Sequence, residues 1–199
     1  MAQIAAERSE TAAVPAGANP AALGLVAFAL TTFVLSALNA GWYALGAKDA
    51  PAVIGLALFY GGLAQLLAGM WEFRAGNTFG AAAFSSYGAF WLALGWGLQN
   101  GQIRLGTPEV GFYMLAWGLF TFLWLLGTLR TNGALISVFL FLTLTYIALA
   151  IANFGGGTTW TEIGGYLGVL TALLAWYTGA ATMLATTKSP VQLPIFPMS

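Results

Sequence analysis

Long apolar intervals, separated by a few charged positions, make up most of this chain. The charged residues are Glu7, Arg8, Glu10, Lys48, Asp49, Glu72, Arg74, Arg104, Glu109, Arg130, Glu162 and Lys188. An α-helix needs roughly 20 residues to cross a hydrocarbon core of about 30 Å, and the intervals between the charges are that long. The pattern therefore predicts six transmembrane helices, at about 20–46, 51–71, 78–100, 110–129, 133–153 and 163–186.

Polar segments flank the predicted membrane domain, which covers residues 19–188. Residues 1–18 form an Ala-rich arm of mixed charge, and nothing in it resembles the short apolar core and cleavage site of a signal peptide. Residues 189–199 contain three prolines, so we expect a non-helical, exposed tail there.

Composition sets the class of protein. Hydrophobic residues make up 59% of the chain and charged residues only 6%, against roughly 25% in ordinary soluble domains. Lipid must therefore solvate most of the surface, and we predict an all-α integral membrane protein. The net charge is zero and there is no basic tract, so no nucleic-acid partner is expected. Without histidine or cysteine, we expect no metal site, no cofactor and no enzymatic activity.

The distribution of Lys and Arg predicts the orientation, because cytoplasmic loops carry the excess of positive charge. An inside N-terminus gives the cytoplasmic segments four positive residues and the outer loops two, Lys48 and Arg104. We therefore expect a multi-pass protein of the plasma membrane with both termini in the cytoplasm.

Asparagine precedes the first, third and fifth predicted helices, at Asn19, Asn77 and Asn132. It is a favoured N-cap residue, and proline at position 20 suits the first helical position. Nine or ten residues beyond these caps, about 14 Å along each helix and near the middle of the bilayer, come Phe28, Tyr87 and Leu142. A further eleven or twelve residues along come Asn39, Gln99 and Asn153.

This spacing predicts a pseudo-repeat of three helical hairpins in one orientation, with the odd-numbered helices around a path. Eleven residues make about three turns, so Asn39 returns to the Phe28 face and Asn153 to the Leu142 face. The same faces carry Thr32 and Tyr146. The alternative is that polar residues simply cluster at helix ends, with large apolar residues everywhere between.

Four segments around these caps resemble motifs of the acetate uptake transporter family, the succinate–acetate permease group. They are NPAALGL at 19–25, FYGGLAQ at 59–65, WEFRAGNTFG at 71–80 and AFSSYGAFW at 83–91. The resemblance runs from about residue 19 to 188. Ala22 departs from it, since many relatives have proline there, but Pro20 still sets the start of the helix.

The resemblance implies six transmembrane helices per protomer, a ring-shaped homo-hexamer and an architecture similar to the acid-activated urea channels. It implies passage of acetate, sometimes with succinate or other short carboxylates. It also implies that each protomer holds its own path, with a constriction formed by Phe28, Tyr87 and Leu142.

An acetate anion at mid-membrane loses its hydration and needs a fixed partner. No Lys or Arg lies in the middle of a predicted span, so hydroxyl groups, amides and positive helix N-termini must be the partners of the anion. The path residues that we expect are Asn19, Thr32, Asn39, Gln65, Asn77, Ser85, Ser86, Tyr146 and Asn153. The Phe/Tyr/Leu ring is expected to act as a dewetting constriction, with the Tyr87 hydroxyl as a hydrogen-bond partner for a carboxyl group.

Glu72 lies near a helix end beside Arg74, and we expect the two to form a structural ion pair. With no histidine and no carboxylate inside the membrane, the proton either travels on the substrate as acetic acid or the protein is a channel. Two alternatives stay open. A neutral, dry path also suits ammonia or urea, and the protein could be an acetate sensor that transports nothing.

Overall fold

The computed structural model describes residues 18–43 and 50–198, and this part of the chain is helical with no β-strand. The helices are α1 Pro20–Asn39, α2 Pro51–Ala75, α3 Thr78–Gln99, α4 Pro108–Thr128, α5 Gly133–Ile151 and α6 Gly157–Thr186. The expected N-terminal arm lies outside the described residues, apart from residue 18.

The three asparagine caps predicted from the sequence are confirmed. The Asn19 side chain accepts a hydrogen bond from the N–H of Ala21, Asn77 from that of Gly80, and Asn132 from that of Leu135. Each bond satisfies one of the N–H groups that a helix leaves without an intrahelical partner at its start.

Two helix boundaries differ from the expected ones because of glycine. The first helix ends at Asn39 instead of 46, since Gly41 follows with φ +75°; residues 44–46 of the expectation lie outside the described residues. The last helix begins at Gly157 instead of 163. Gly155 at φ 109° and Gly157 at φ 73° reverse the chain before it, a backbone conformation that only glycine adopts readily.

Two short π-helical turns interrupt the regular helices. One, Phe59–Ala64, lies inside α2 immediately before Gln65; the other, Ala152–Gly156, follows α5 and contains Asn153. A π-turn adds a residue to the local repeat and rotates the side chains that follow it. Both turns thus help to set the direction of a buried amide side chain.

The helices do not all pack closely against one another, and side chains fill the interior between them. α1 packs chiefly on α6 and α2, α5 packs on α6 and α4, and α3 packs on α2. The backbone of α3 makes few close approaches to α1 or α4. Large buried side chains, among them Phe28, Tyr87, Phe90 and Phe139, fill the space between these helices.

Four helical stretches of the described residues are long and apolar enough to cross a membrane: Pro20–Asn39, Pro51–Ala75, Pro108–Thr128 and Gly133–Thr186. The outer faces of α2 and α4 expose large apolar side chains, including Phe59, Leu67, Phe112, Leu119 and Leu123. Such surfaces need a lipid or protein environment rather than water.

The tail after α6 is non-helical, as predicted, but its backbone is not free in solvent. The N–H groups of Gly133 and Ala134, at the start of α5, donate to the carbonyls of Phe196 and Ile195 at 2.8 and 3.3 Å. The Tyr177 hydroxyl donates to Pro194 O at 2.6 Å. The tail therefore caps α5, while the side chain of Phe196 itself stays exposed.

Candidate functional site

Two cavities lie in line along the interior of the bundle. The first, which we call the Thr32 cavity, has a volume of about 130 Å³, and the second, the Gln65 cavity, about 180 Å³. Phe28 and Leu142 line both cavities, so these two side chains stand between them. Most of the other lining residues belong to α1, α3 and α5.

The odd-numbered helices run in the same direction past the two cavities. The N-terminal parts of α1, α3 and α5 line the Gln65 cavity, through residues such as Ala21, Phe79 and Leu135. Their C-terminal parts line the Thr32 cavity, through residues such as Asn39, Leu98 and Leu149. The Gln65 cavity is therefore surrounded by the positive ends of three helices.

Phe28, Tyr87 and Leu142 are buried in one cluster of side chains, and all three line the Gln65 cavity. The Phe28 and Tyr87 rings are 5.7 Å apart between centroids and inclined at 51°. Tyr87 lines only the Gln65 cavity, and its ring also lies 6.3 Å from Phe139. These side chains are thus one aliphatic and several aromatic groups, and none of them carries a formal charge.

The Tyr87 hydroxyl, which was expected to be a hydrogen-bond partner for a carboxyl group, has a protein partner on α4. It lies 2.8 Å from Oγ1 of Thr121, a side chain with no exposed surface that lines neither cavity. Thr121 Oγ1 in turn lies 2.7 Å from the Trp117 carbonyl.

The Thr32 cavity holds four of the expected path residues besides the shared wall: Thr32, Asn39, Tyr146 and Asn153. Thr32 Oγ1 is buried and has no hydrogen-bond partner among the described residues. Both polar atoms of the Asn153 amide have a protein partner, because Oδ1 accepts from Gly106 N at 2.7 Å and Nδ2 donates to Leu149 O at 2.8 Å.

The Gln65 cavity holds Gln65 and Asn77 of the expected set. Gln65 is 1% exposed, and its Oε1 has no partner among the described residues. Asn77 is an exposed residue at the edge of this cavity and is occupied as the cap of α3.

Four residues that the sequence placed on the path or in its repeat lie off it. Asn19 caps α1 but lines neither cavity, and Gln99 is exposed at the end of α3. Ser85 packs where Gly69 leaves room on α2, since a Cβ on that glycine would lie 2.4 Å from Ser85 Oγ. Ser86 is half-buried and lines neither cavity.

The expected ion pair between Glu72 and Arg74 is wrong. Glu72 is 1% exposed and its Oε2 accepts a hydrogen bond from Asn77 Nδ2 at 3.0 Å, whereas Oε1 has no partner among the described residues. The Arg74 guanidinium instead lies 6.0 Å from the centroid of the Trp71 ring. Residues two apart on a helix point in different directions, which explains the separation.

Sequence reasoning missed several lining residues. Trp91 lines the Thr32 cavity, and its Nε1–H is buried without a partner among the described residues. Asn132 and Thr178 line the Gln65 cavity. A period of 3.6 residues from Tyr87 on α3 could have indicated Trp91, one turn further along the same face. Among the described residues, no three His, Cys, Asp or Glu side chains are grouped to hold a metal ion.

The apolar helices and the two interior cavities define a helical membrane protein. The chain belongs to the GPR1/FUN34/yaaH family, which it matches over residues 6–199.

Its relatives include two fungal proteins. Ammonia transport outward protein 2 of Saccharomyces cerevisiae is 42% identical over 90% of this chain, and Acetate permease A of Emericella nidulans is 41% identical over 92%. The chain spans 66% and 67% of the length of these two proteins, about two thirds in each case.

Bacterial relatives match over nearly their whole length. The Succinate-acetate/proton symporter SatP of Escherichia coli K12 is 37% identical, over 89% of this chain and 95% of that protein. The solved structure of the bacterial acetate channel SatP superposes with a TM-score of 0.82 at 36% identity, covering 90% of this chain and 99% of the other.

Proposed function

We propose that this protein is a membrane channel or proton-linked transporter for acetate and related short carboxylates, succinate among them, and not an enzyme. The observation that carries the proposal is the pair of interior cavities that share Phe28 and Leu142 as lining residues. The likeness to a bacterial acetate channel supports the same conclusion.

In this proposal the chain crosses the plasma membrane six times, as three hairpins with like-oriented odd helices and both termini in the cytoplasm. The 54-residue stretch Gly133–Thr186 supports two of the crossings. It reverses at Gly155–Gly157, and its halves pack on each other. The Thr32 cavity then faces outward and the Gln65 cavity faces the cytoplasm. The apolar outer faces of α2 and α4 are suited to contacts between the protomers of a homo-hexamer.

Phe28, Tyr87 and Leu142 form the proposed constriction. Apolar walls at a narrow point exclude water, so a small solute passes only after losing most of its hydration. Acetate carries a methyl group that such walls tolerate and a carboxyl group that they do not. The constriction therefore separates the two cavities by a dry step.

Partners for the carboxyl group lie on either side of that step. Thr32 and Trp91 supply an O–H and an N–H in the Thr32 cavity, and neither polar atom has a protein partner among the described residues. Gln65 supplies an amide in the Gln65 cavity. Buried polar groups are rarely left unpaired, so these three are suited to bind substrate as it arrives and leaves.

The proton travels with the substrate as acetic acid in this mechanism. Glu72 is buried and hydrogen-bonded to Asn77, but it does not line either cavity. Replacing Glu72 by Gln should therefore leave proton-linked uptake in place. Loss of proton-linked uptake, with acetate binding and assembly intact, would instead make Glu72 the proton carrier.

The test of the proposed function is uptake of labelled acetate by proteoliposomes containing the wild type, Phe28→Ala or Tyr87→Ala. We expect uptake by the wild type above that of empty liposomes, and altered flux and selectivity among carboxylates in both variants. Flux and selectivity unchanged in both would remove the constriction from the mechanism.

Passage of a small neutral solute is the second candidate, because one relative is named for outward ammonia transport and the constriction has no charge. The same proteoliposomes, tested with ammonia and urea in place of acetate, separate the two. A protein that binds acetate but moves none of the three solutes would be a sensor.

A further inference from the structure

The donor and the acceptor of one hydrogen bond at the proposed constriction can be assigned from the geometry. Thr121 Oγ1 lies 2.7 Å from the Trp117 carbonyl oxygen and 2.8 Å from the Tyr87 hydroxyl oxygen. A carbonyl oxygen has no proton to give, so the hydroxyl of Thr121 must donate to it. Any other arrangement would press oxygen lone pairs together at hydrogen-bond distance in a fully buried site.

This leaves only one position for the Tyr87 proton. The Thr121 hydroxyl donates its single proton to the Trp117 carbonyl. Its oxygen therefore accepts a hydrogen bond from the Tyr87 hydroxyl. A phenol has one proton. Tyr87, although it lines the Gln65 cavity beside Phe28, therefore has no donor left for a substrate.

We propose that Thr121 is a positioning residue that sets the protonation state of the substrate that can pass, by holding the Tyr87 proton away from the path. A carboxylate anion needs donors to replace its hydration, and here the only polar atom of the Phe28–Tyr87–Leu142 ring offers none. The undissociated acid carries no charge and crosses the same ring at a much lower desolvation cost. The inference rests on the proposed function only in taking a carboxylic acid as the substrate.

The spectroscopic test does not depend on transport. The Fermi-doublet intensity ratio of tyrosine in ultraviolet resonance Raman spectra reports whether the hydroxyl donates or accepts. The difference spectrum between wild type and Tyr87→Phe isolates Tyr87 from the other six tyrosines. We expect a donor signature in the wild type and in Thr121→Ser, and its loss in Thr121→Val. An acceptor signature in the wild type would overturn the inference.

The functional test measures labelled acetate uptake and acetate-driven current in proteoliposomes, and takes the ratio of charge moved to acetate moved. Thr121→Val removes the acceptor at nearly constant volume and frees the Tyr87 proton, so the ratio should rise about tenfold, the effect of one hydrogen bond to a charged group. Thr121→Ser should keep the wild-type ratio. The double variant Thr121→Val/Tyr87→Phe should return to it, because no hydroxyl remains.

A purely structural role for Thr121 would change uptake without changing this ratio. An unchanged ratio in Thr121→Val, or the same raised ratio in the double variant, contradicts the inference even when the wild type takes up acetate normally. Absence of acetate uptake by the wild type contradicts the proposed function instead. The Raman difference spectrum then still decides the direction of the Tyr87 hydrogen bond.

Discussion

The two cavities differ in how their polar groups are used. In the Thr32 cavity, Thr32 and Trp91 have polar atoms without a partner in the described part of the chain, whereas both polar atoms of Asn153 are hydrogen-bonded, to Leu149 O and to Gly106 N. In the Gln65 cavity, Asn77 and Asn132 are occupied as helix caps, and Gln65 has a buried oxygen with no partner among the residues that the structure describes.

The difference shows that a polar residue beside a path is not necessarily a ligand for what moves along it. In this chain most asparagine and threonine side chains near the cavities hold helix ends or neighbouring carbonyls. Thr178 is typical, since it donates to Leu174 O at 2.8 Å while lining the Gln65 cavity. Only groups that the fold leaves unpaired can exchange partners with a passing solute at low cost.

The largest effect is expected for Gln65→Leu. This change keeps the volume of the side chain but removes the only unpaired amide of the Gln65 cavity, and a hydrogen bond to a charged or strongly polar group corresponds to about tenfold or more in rate. Acetate uptake by proteoliposomes should fall by that factor. Gln102→Leu, which changes an exposed loop residue, is the matched control and should leave uptake unchanged. Equal uptake in the two variants would contradict a role for Gln65.

Thr32→Val should lower acetate uptake by about fivefold, the effect of one neutral hydrogen bond. Trp91 remains as a second donor in the same cavity, and the loss is therefore smaller than for Gln65. The control is Thr143→Val, because Thr143 is equally buried but donates to Phe139 O and lines neither cavity. If the two threonine variants behave alike, the distinction between unpaired and occupied hydroxyls fails.

Asn153→Ala should act on stability more than on uptake. It leaves the Gly106 N–H without its acceptor and frees the loop before α4, at a cost of about 2 kcal/mol and a drop in Tm of about 6 °C. Thermal unfolding in detergent measures this drop. Asn100→Ala removes an exposed amide that bonds only Trp96 O and should change Tm by no more than about 2 °C. A large loss of uptake at unchanged Tm would make Asn153 a substrate ligand.

Truncation after Ser189 should have the smallest effect. The N–H groups of Gly133 and Ala134 lose their acceptors in the tail, but water can replace them, so the free energy of unfolding should fall by about 1 kcal/mol. Hydrogen exchange at these two amides should become faster after truncation. The control is Gln192→Ala, a change in the exposed tail that should leave their exchange rates unchanged. Unchanged exchange after truncation would show that the tail does not cap α5.

The apolar stretches and the capped starts of α1, α3 and α5 were predictable because local chemistry sets them. Charge-free length marks the apolar stretches, and Asn19, Asn77 and Asn132 act within three residues of themselves. The π-turn before Gln65 and the reversal at Gly155–Gly157 were not predicted. The glycines at 155–157 could have indicated the reversal, because glycine readily adopts positive φ. Phe28, Tyr87 and Leu142 were placed at one level by spacing together with the family resemblance, and the structure places them close together.

The direction of polar side chains was the least predictable property of the site. Glu72 was assigned to Arg74 because the two are neighbours in sequence, yet its partner is Asn77. Thr121 could not be recognised from the sequence as the partner of Tyr87, because the two residues are 34 positions apart. Such pairings follow from how α3 and α4 face each other, and no local pattern encodes that.

The central claim is that the two cavities form one route that only the Phe28–Leu142 wall interrupts. The most direct measurement is labelled acetate uptake by proteoliposomes containing wild type or Leu142→Trp, both checked by size-exclusion chromatography for unchanged assembly. The account predicts uptake by the wild type well above empty liposomes and near-background uptake by Leu142→Trp, because the larger ring fills the junction of the cavities. Wild-type uptake at background, or undiminished uptake by a correctly assembled Leu142→Trp protein, would contradict it.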